Sequence, residues 1–210
     1  MKTVFKHAYE TSLKQNIKWF IKRTILGKND VDASIEKYLQ NVIVSNVILK
    51  KGLNIGCGYY TPNDINIKRI SPKLINADTM LLVKIFRPFS GKKLILDIEN
   101  WKCHLQLLNP HAIYCFHTFS FIQINWIELI NYLASNKIKF VFDWSIQSPS
   151  ELGAGVNRYC VGQDSQQFFD VLIENNFKVL DLSKHCEQTN RDAIIVGSRF
   201  IVSNFNIHEN

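Results

Sequence analysis

From residue 51 onward, short apolar runs alternate with longer stretches whose apolar positions recur at three- and four-residue intervals. The runs suit strands buried on both faces and the stretches suit helices with one buried side, so the alternation predicts strand–helix–strand units and a parallel sheet. Candidate strands are 51–56, 73–77, 92–97, 111–116, 137–143, 177–182 and 192–201. Between the fourth and fifth, Trp126, Leu129, Ile130 and Leu133 fall on one side of a helix that stops near Asn136. Between the fifth and sixth, Asp164 or Ser165 can cap a helix that turns Phe168, Phe169 and Leu172 inward and ends at Asn175-Asn176.

Two helices are expected before the first strand. Leu13, Ile17, Ile21 and Ile25 recur every four residues, with Phe20 beside them and Lys14, Lys18 and Lys22 just off the stripe, the pattern of an amphipathic helix. Gly27-Lys28-Asn29-Asp30 breaks it, Asp30 or Asp32 can cap the next, and Ile35, Tyr38, Leu39, Val42 and Ile43 follow helical spacing. Residues 1–48 therefore read as an N-terminal helical extension and 49–210 as the main domain. Charge sharpens this division, because residues 1–28 carry seven basic residues against one acid, 7 − 1 = +6 of a total of +7. A basic face of this kind can meet an anionic membrane surface or nucleic acid. The simpler expectation is a helix that lids the site, its stripe on the core and its lysines in water.

At 210 residues the chain is long enough for one domain with a substantial core. A 46% hydrophobic and 20% charged composition is that of an ordinary globular protein. No stretch approaches the roughly 18 apolar residues of a spanning helix, and the N-terminus lacks the continuous apolar core of a signal peptide. Five cysteines, at 57, 103, 115, 160 and 186, form no even framework, which predicts reduced thiols in a cytoplasmic protein. Cys103-His104, His111, Cys115 and His117 invite a zinc reading, but their spacing matches no standard zinc pattern, and no metal is expected.

The candidate chemistry begins at Lys51–Tyr60, where an apolar run flows into Gly56 and Gly58, spaced by one residue. Glycine is used where backbone folds sharply or a ligand approaches closely. Leu53-Asn54-Ile55-Gly56-Cys57-Gly58 is followed by Leu74-Ile75-Asn76-Ala77-Asp78, then Leu94-Ile95-Leu96-Asp97-Ile98, then Ala112-Ile113-Tyr114-Cys115-Phe116-His117. With these residues the chain resembles the class I S-adenosylmethionine-dependent methyltransferases, in particular the subgroup opening Leu-Asn-Leu-Gly-Cys-Gly. The resemblance extends more loosely from about Lys51 to the final strand. It implies an α/β, Rossmann-like seven-stranded, mostly parallel sheet with helices on both faces and the last strand antiparallel, preceded by the helical extension.

The resemblance also implies S-adenosylmethionine as cofactor and a division of labour at the carboxyl ends of the strands. Asn54, Gly56, Cys57 and Gly58 would hold the amino-acid part. Asp78 would accept hydrogen bonds from the ribose diol, Asp97 with Ile98 would read the adenine edge, and Trp101 would stack on the ring. His117 would accept a proton from the attacking group, its ordinary pKa near 6.5 suiting that role. Asp143 would orient substrate or histidine, and Tyr60, Trp144 and Tyr159 would line the acceptor pocket. The loop 151–159, bent on Gly153 and Gly155, suits a lid.

Three positions depart from the family pattern. Asn54 stands where an acid is usual, Tyr60 occupies the third glycine position, and Thr118-Phe119-Ser120-Phe121 replaces a Glu-His pair. The implied acceptor is a small molecule or a glycan or lipid intermediate. The alternatives are a catalytically inactive methyltransferase-like binding or scaffolding protein, and an RNA methyltransferase using the basic arm. Nucleic acid is the less favoured partner because no Asn/Asp-Pro-Pro-Tyr/Phe motif occurs, and a nicotinamide oxidoreductase is disfavoured by Thr61 where its fingerprint needs glycine.

Overall fold

The computed structural model describes residues 6–7, 14, 17–18, 21–26, 33–56, 62–77, 93–94, 101–116, 122–123, 125–145, 165–181, 187–188 and 199–205. In chain order these form β1 (Lys6–His7), a π-helical turn (Ile21–Ile25), α1 (Ala33–Val44), β2 (Lys51–Ile55), α2 (Pro62–Ile70), β3 (Lys73–Ala77), β4 (Lys93–Leu94) and α3 (Trp101–Leu108). There follow β5 (Ala112–Cys115), β6 (Ile122–Gln123), α4 (Trp126–Ser135), β7 (Lys139–Ser145), α5 (Ser165–Glu174), β8 (Lys178–Asp181), β9 (Glu187–Gln188) and β10 (Arg199–Ser203).

One sheet, ordered β4-β3-β2-β5-β7-β10-β8-β9, organises the fold. The strands β4, β3, β2, β5 and β7 are mutually parallel, and β10 runs antiparallel to both β7 and β8. The antiparallel final strand is as expected, and the sheet is mostly parallel. Among the described residues eight strands take part rather than seven. The addition is β9, an edge pairing of Glu187–Gln188 on β8 too short and polar to leave a periodic signal. Of the expected strand 92–97 only the two residues of β4 lie within the described residues. The final strand, expected over 192–201, is described from Arg199 and runs on to Ser203. A separate two-stranded ribbon, β1 against β6 antiparallel, has no counterpart in the sequence reading.

Side chains alternate across a strand, so each strand feeds two cores. Leu53, Ile55, Ile113, Cys115, Phe140, Phe142, Phe200 and Val202 share one cluster with Trp101, Leu105, Leu129, Ile130, Leu133 and Leu172 of α3, α4 and α5. Leu74, Ala112, Tyr114, Val141 and Ile201 face the other side, against Ile35, Tyr38, Leu39 and Val42 of α1 and Ile67 and Ile70 of α2. The spacing expected for α1 and α4 is thus the buried spacing. Ile17, Ile21 and Ile25, expected to lid the site with their stripe on the core, are exposed instead, while Leu13 and Phe20 of the same stripe lie outside the described residues.

Asparagine ends several helices. Asn46, Asn109 and Asn176, following α1, α3 and α5, adopt left-handed φ of 54°, 44° and 60°, a conformation its short polar side chain tolerates. At the other end of α4, Asn125 accepts the Glu128 amide at 3.0 Å and caps the first turn. Among the described residues no helix is long and apolar enough to cross a membrane.

Candidate active site

The parallel strands deliver their carboxyl ends to one rim. The chain winds outward from β2 through β3 to β4, then returns to the other side of β2 to form β5 and β7. The winding therefore reverses between β3 and β5, beyond the end of β2, and in open α/β sheets ligands bind at such a point. Gly56 stands there. Its φ is 63°, which side-chain-bearing residues adopt at a cost of roughly 1–2 kcal/mol, so glycine at this position has a conformational reason. Its amide donates to the Ala77 carbonyl at 2.8 Å, tying the turn after β2 to the last residue of β3.

Beneath this turn lies a buried polar cluster. Asn54 Nδ2 donates to Asp64 Oδ1 at 3.1 Å and to Asn76 Oδ1 at 3.2 Å, and all three residues are buried. The strand register explains the meeting, since Asn54 pairs with Asn76 on one side and Tyr114 on the other. Both asparagines face α2, whose first turn carries Asp64. One step toward the amino end of the sheet, Gly52 lets the end of α2 close onto β2. A Cβ there would stand 2.7 Å from Ser71 Cβ and 3.0 Å from Leu74 Cδ1. Ser71 Oγ in turn lies 2.8 Å from the Tyr114 hydroxyl. Burial pushes the Tyr114 phenol pKa up, the Ser71 hydrogen bond offsetting part of this.

Asn54 was expected to contact a cofactor. Its Nδ2 donates to Asp64 and Asn76, which makes it a strut joining β2, β3 and α2. Trp101 was expected to stack on the adenine ring. The indole is 7% exposed and meets Tyr132 of α4 edge-on, with centroids 5.2 Å apart. The Lys102 ammonium lies 5.5 Å from the ring centroid. Trp101 is the first residue of α3, and its spacing to Leu105 and Leu108 turns it into the core rather than toward the rim.

Asp143 is buried on β7, one residue beyond Phe142, which pairs with Cys115 at the end of β5. It stands at the level of Phe116, immediately before His117 in the chain. Burial pushes the Cys115 thiol pKa up, with the negative charge of Asp143 adding to the effect. Cys115 is thereby kept a neutral core thiol, suited neither to nucleophilic attack nor to metal binding at neutral pH. Trp144 follows on β7 in register with Phe200. Cys57, Gly58, Tyr60, Asp78, Asp97, Ile98, His117, Tyr159 and the 151–159 loop lie outside the described residues. Cys57, Asp78 and His117 each directly follow a described residue at the rim, namely Gly56, Ala77 and Phe116.

Sequence reading missed Asp64 and Asn76. Their signal was present in polar residues interrupting apolar runs, but only the register of β2 with β3 and the return of α2 over β2 bring them together.

The strand order with its reversal at β2 and its antiparallel β10 is the fold of S-adenosylmethionine-dependent methyltransferases. Solved structures bear this out. A methyltransferase of this class from Clostridium acetobutylicum superposes with a TM-score of 0.52 at 14% identity, covering 91% of this chain and 98% of that one. One from Archaeoglobus fulgidus gives 0.51 at 12% identity, covering 89% and 98%. The plantazolicin methyltransferase BpumL, solved with S-adenosylhomocysteine, gives 0.52 at 14% identity, covering 91% and 90%. No protein-family model matches the sequence. No curated protein matches it either.

Proposed function

We propose that the protein transfers a methyl group from S-adenosylmethionine to a small molecule or to a glycan or lipid intermediate. The observation that carries this reading is the left-handed Gly56, tied by its amide to the end of β3 where the strand winding reverses. S-adenosylmethionine supplies an electrophilic methyl carbon bound to a sulfonium. In this reading Gly56, Cys57 and Gly58 offer backbone amides to its amino-acid part, Asp78 accepts the ribose hydroxyls, and Asp97 and Ile98 meet the adenine edge. Asn54 acts at one remove, holding the turn through Asp64 and Asn76. Trp101 supports the start of α3 rather than stacking on adenine.

A lone pair on the acceptor forms the new bond to the methyl carbon as the carbon–sulfur bond breaks, the electron pair going to sulfur to leave S-adenosylhomocysteine. His117 takes the proton released by an attacking hydroxyl or amine, and Asp143 orients the imidazole or the acceptor. Tyr60, Trp144 and Tyr159 wall the acceptor pocket. Alignment of the two reactants contributes most of the acceleration, and a base adds only where the nucleophile must lose a proton.

Calorimetric titration with S-adenosylmethionine tests the reading. Micromolar binding is expected, weakened about tenfold or more in Asp97→Ala through loss of a charge-assisted hydrogen bond. Absence of binding to the folded protein would remove the reading in favour of a binding or scaffolding protein on the same fold.

A further inference from the structure

The basic segment before α1 carries apolar surface that the fold leaves uncovered. Lys14, Ile17 and Lys18 are helical, and Ile21–Ile25 form a π-helical turn closed by the Leu26 amide on the Ile21 carbonyl at 2.9 Å. Along this path Ile17, Ile21, Ile25 and Leu26 are 44%, 41%, 65% and 57% exposed. One face of the sheet is occupied by α1 and α2, whose Ile35, Leu39, Val42 and Ile67 are buried there. Lys14 and Lys18 are exposed beside the isoleucines. Aliphatic side chains recurring at four-residue steps with lysines alongside form an amphipathic surface.

We propose that this segment docks the protein on an anionic lipid bilayer, its isoleucines entering the boundary between headgroups and acyl chains and its lysines meeting lipid phosphates. Charge selects this occupant over the others. Seven basic residues against one acid in residues 1–28, a net of +6, complement an anionic surface and repel the same segment of a second copy. Nucleic acid would satisfy the lysines, but isoleucine offers no flat π face on which bases stack, so the exposed stripe would stay in water.

Sedimentation of the full-length protein with lipid vesicles tests this without any methyl transfer, so its outcome is separable from that of the cofactor titration. Binding is expected to vesicles of phosphatidylcholine with about one third phosphatidylserine and not to phosphatidylcholine alone. The triple variant Ile17→Ser/Ile21→Ser/Ile25→Ser should cut the partition at least about tenfold, since bilayer affinity scales with buried apolar area. Lys14→Glu/Lys18→Glu should cut it at least about tenfold as well, each lysine contributing through its charge near the surface. The unfolding midpoint of both variants should match the parent, because the substituted side chains are exposed.

The proposal is overturned by failure of the parent to bind anionic vesicles or by equal binding to neutral ones. It is equally overturned by unchanged partition of the triple variant. Retention of a single-stranded RNA without vesicle binding, or a dimer lost in the triple variant without vesicle binding, would assign the surface to those partners instead.

Discussion

Asn54 shows how one amide can decide the chemistry of a turn above it. Its two N–H groups are used on the Oδ1 atoms of Asp64 and Asn76, so the position demands a donor. A carboxylate here, the residue usual in the family this chain resembles, would set two acids against each other in a buried space. Asn54→Asp is therefore expected to lower the unfolding free energy by about 1–3 kcal/mol, the cost of replacing a satisfied buried pair with an unsatisfied one. Asn54→Asp/Asp64→Asn, which restores one donor and one acceptor, should recover most of that loss in urea melts. If the double variant is no better than the single, the strut is not what holds this corner. The departure at Asn54 was legible in the sequence, but its compensation was not, because Asp64, ten residues further on, meets it only once α2 has folded back over β2.

At the scale of elements, β5 is buried along its whole length. Tyr114 faces the α1 and α2 side and Cys115 faces the α3 to α5 side, and burial raises both pKa values. In the unfolded chain the thiol loses its proton near its ordinary value of 9.0, whereas in the fold it keeps it. The folded state then binds more protons, so stability is full below that pH and falls as pH rises toward the folded value. The expected slope is about 1.4 kcal/mol per pH unit for one such group. Urea melts from neutral pH to about pH 10 should show a shallower alkaline decline in Cys115→Ala than in the parent. Equal slopes would mean that the thiol titrates alike in both states.

Elements themselves were read well where their signal is local. The helical spacing of Ile35 to Val42 and of Trp126 to Leu133 is the spacing that is buried, and the asparagine stops at Asn136 and Asn175-Asn176 mark real ends. The apolar stripe from Ile17 to Ile25 is equally clear as a pattern. A pattern states that a side needs cover and leaves open what provides it, and here Ile17, Ile21 and Ile25 stay exposed. The ribbon of β1 and β6 escaped for a different reason, as two-residue strands carry no period and depend on contacts distant in sequence.

For the whole molecule, the strand ends that form the rim were legible in the sequence, and Cys57, Asp78 and His117 directly follow the described residues Gly56, Ala77 and Phe116 there. The polar row beneath the rim was not, because it runs across strands. Register aligns Asn76, Asn54, Tyr114, Val141 and Ser203 in one line, and Tyr38 of α1 donates to Ser203 Oγ at 2.7 Å across a separation of 165 residues. That last contact has a consequence for synthesis. α1 leaves the ribosome well before its partner, which lies 165 residues further on, since Ser203 belongs to the strand wedged between β7 and β8. Until β10 is made, Tyr38 lacks its hydrogen-bond partner and the apolar side of α1 lacks the part of its seat supplied by Ile201 and Phe205, a state that invites chaperones and clumping. Nascent chains arrested before Arg199 are expected to be cut rapidly by protease within α1, and the released full chain to resist. Equal resistance would show that the early helix finds shelter elsewhere while the ribosome is still working.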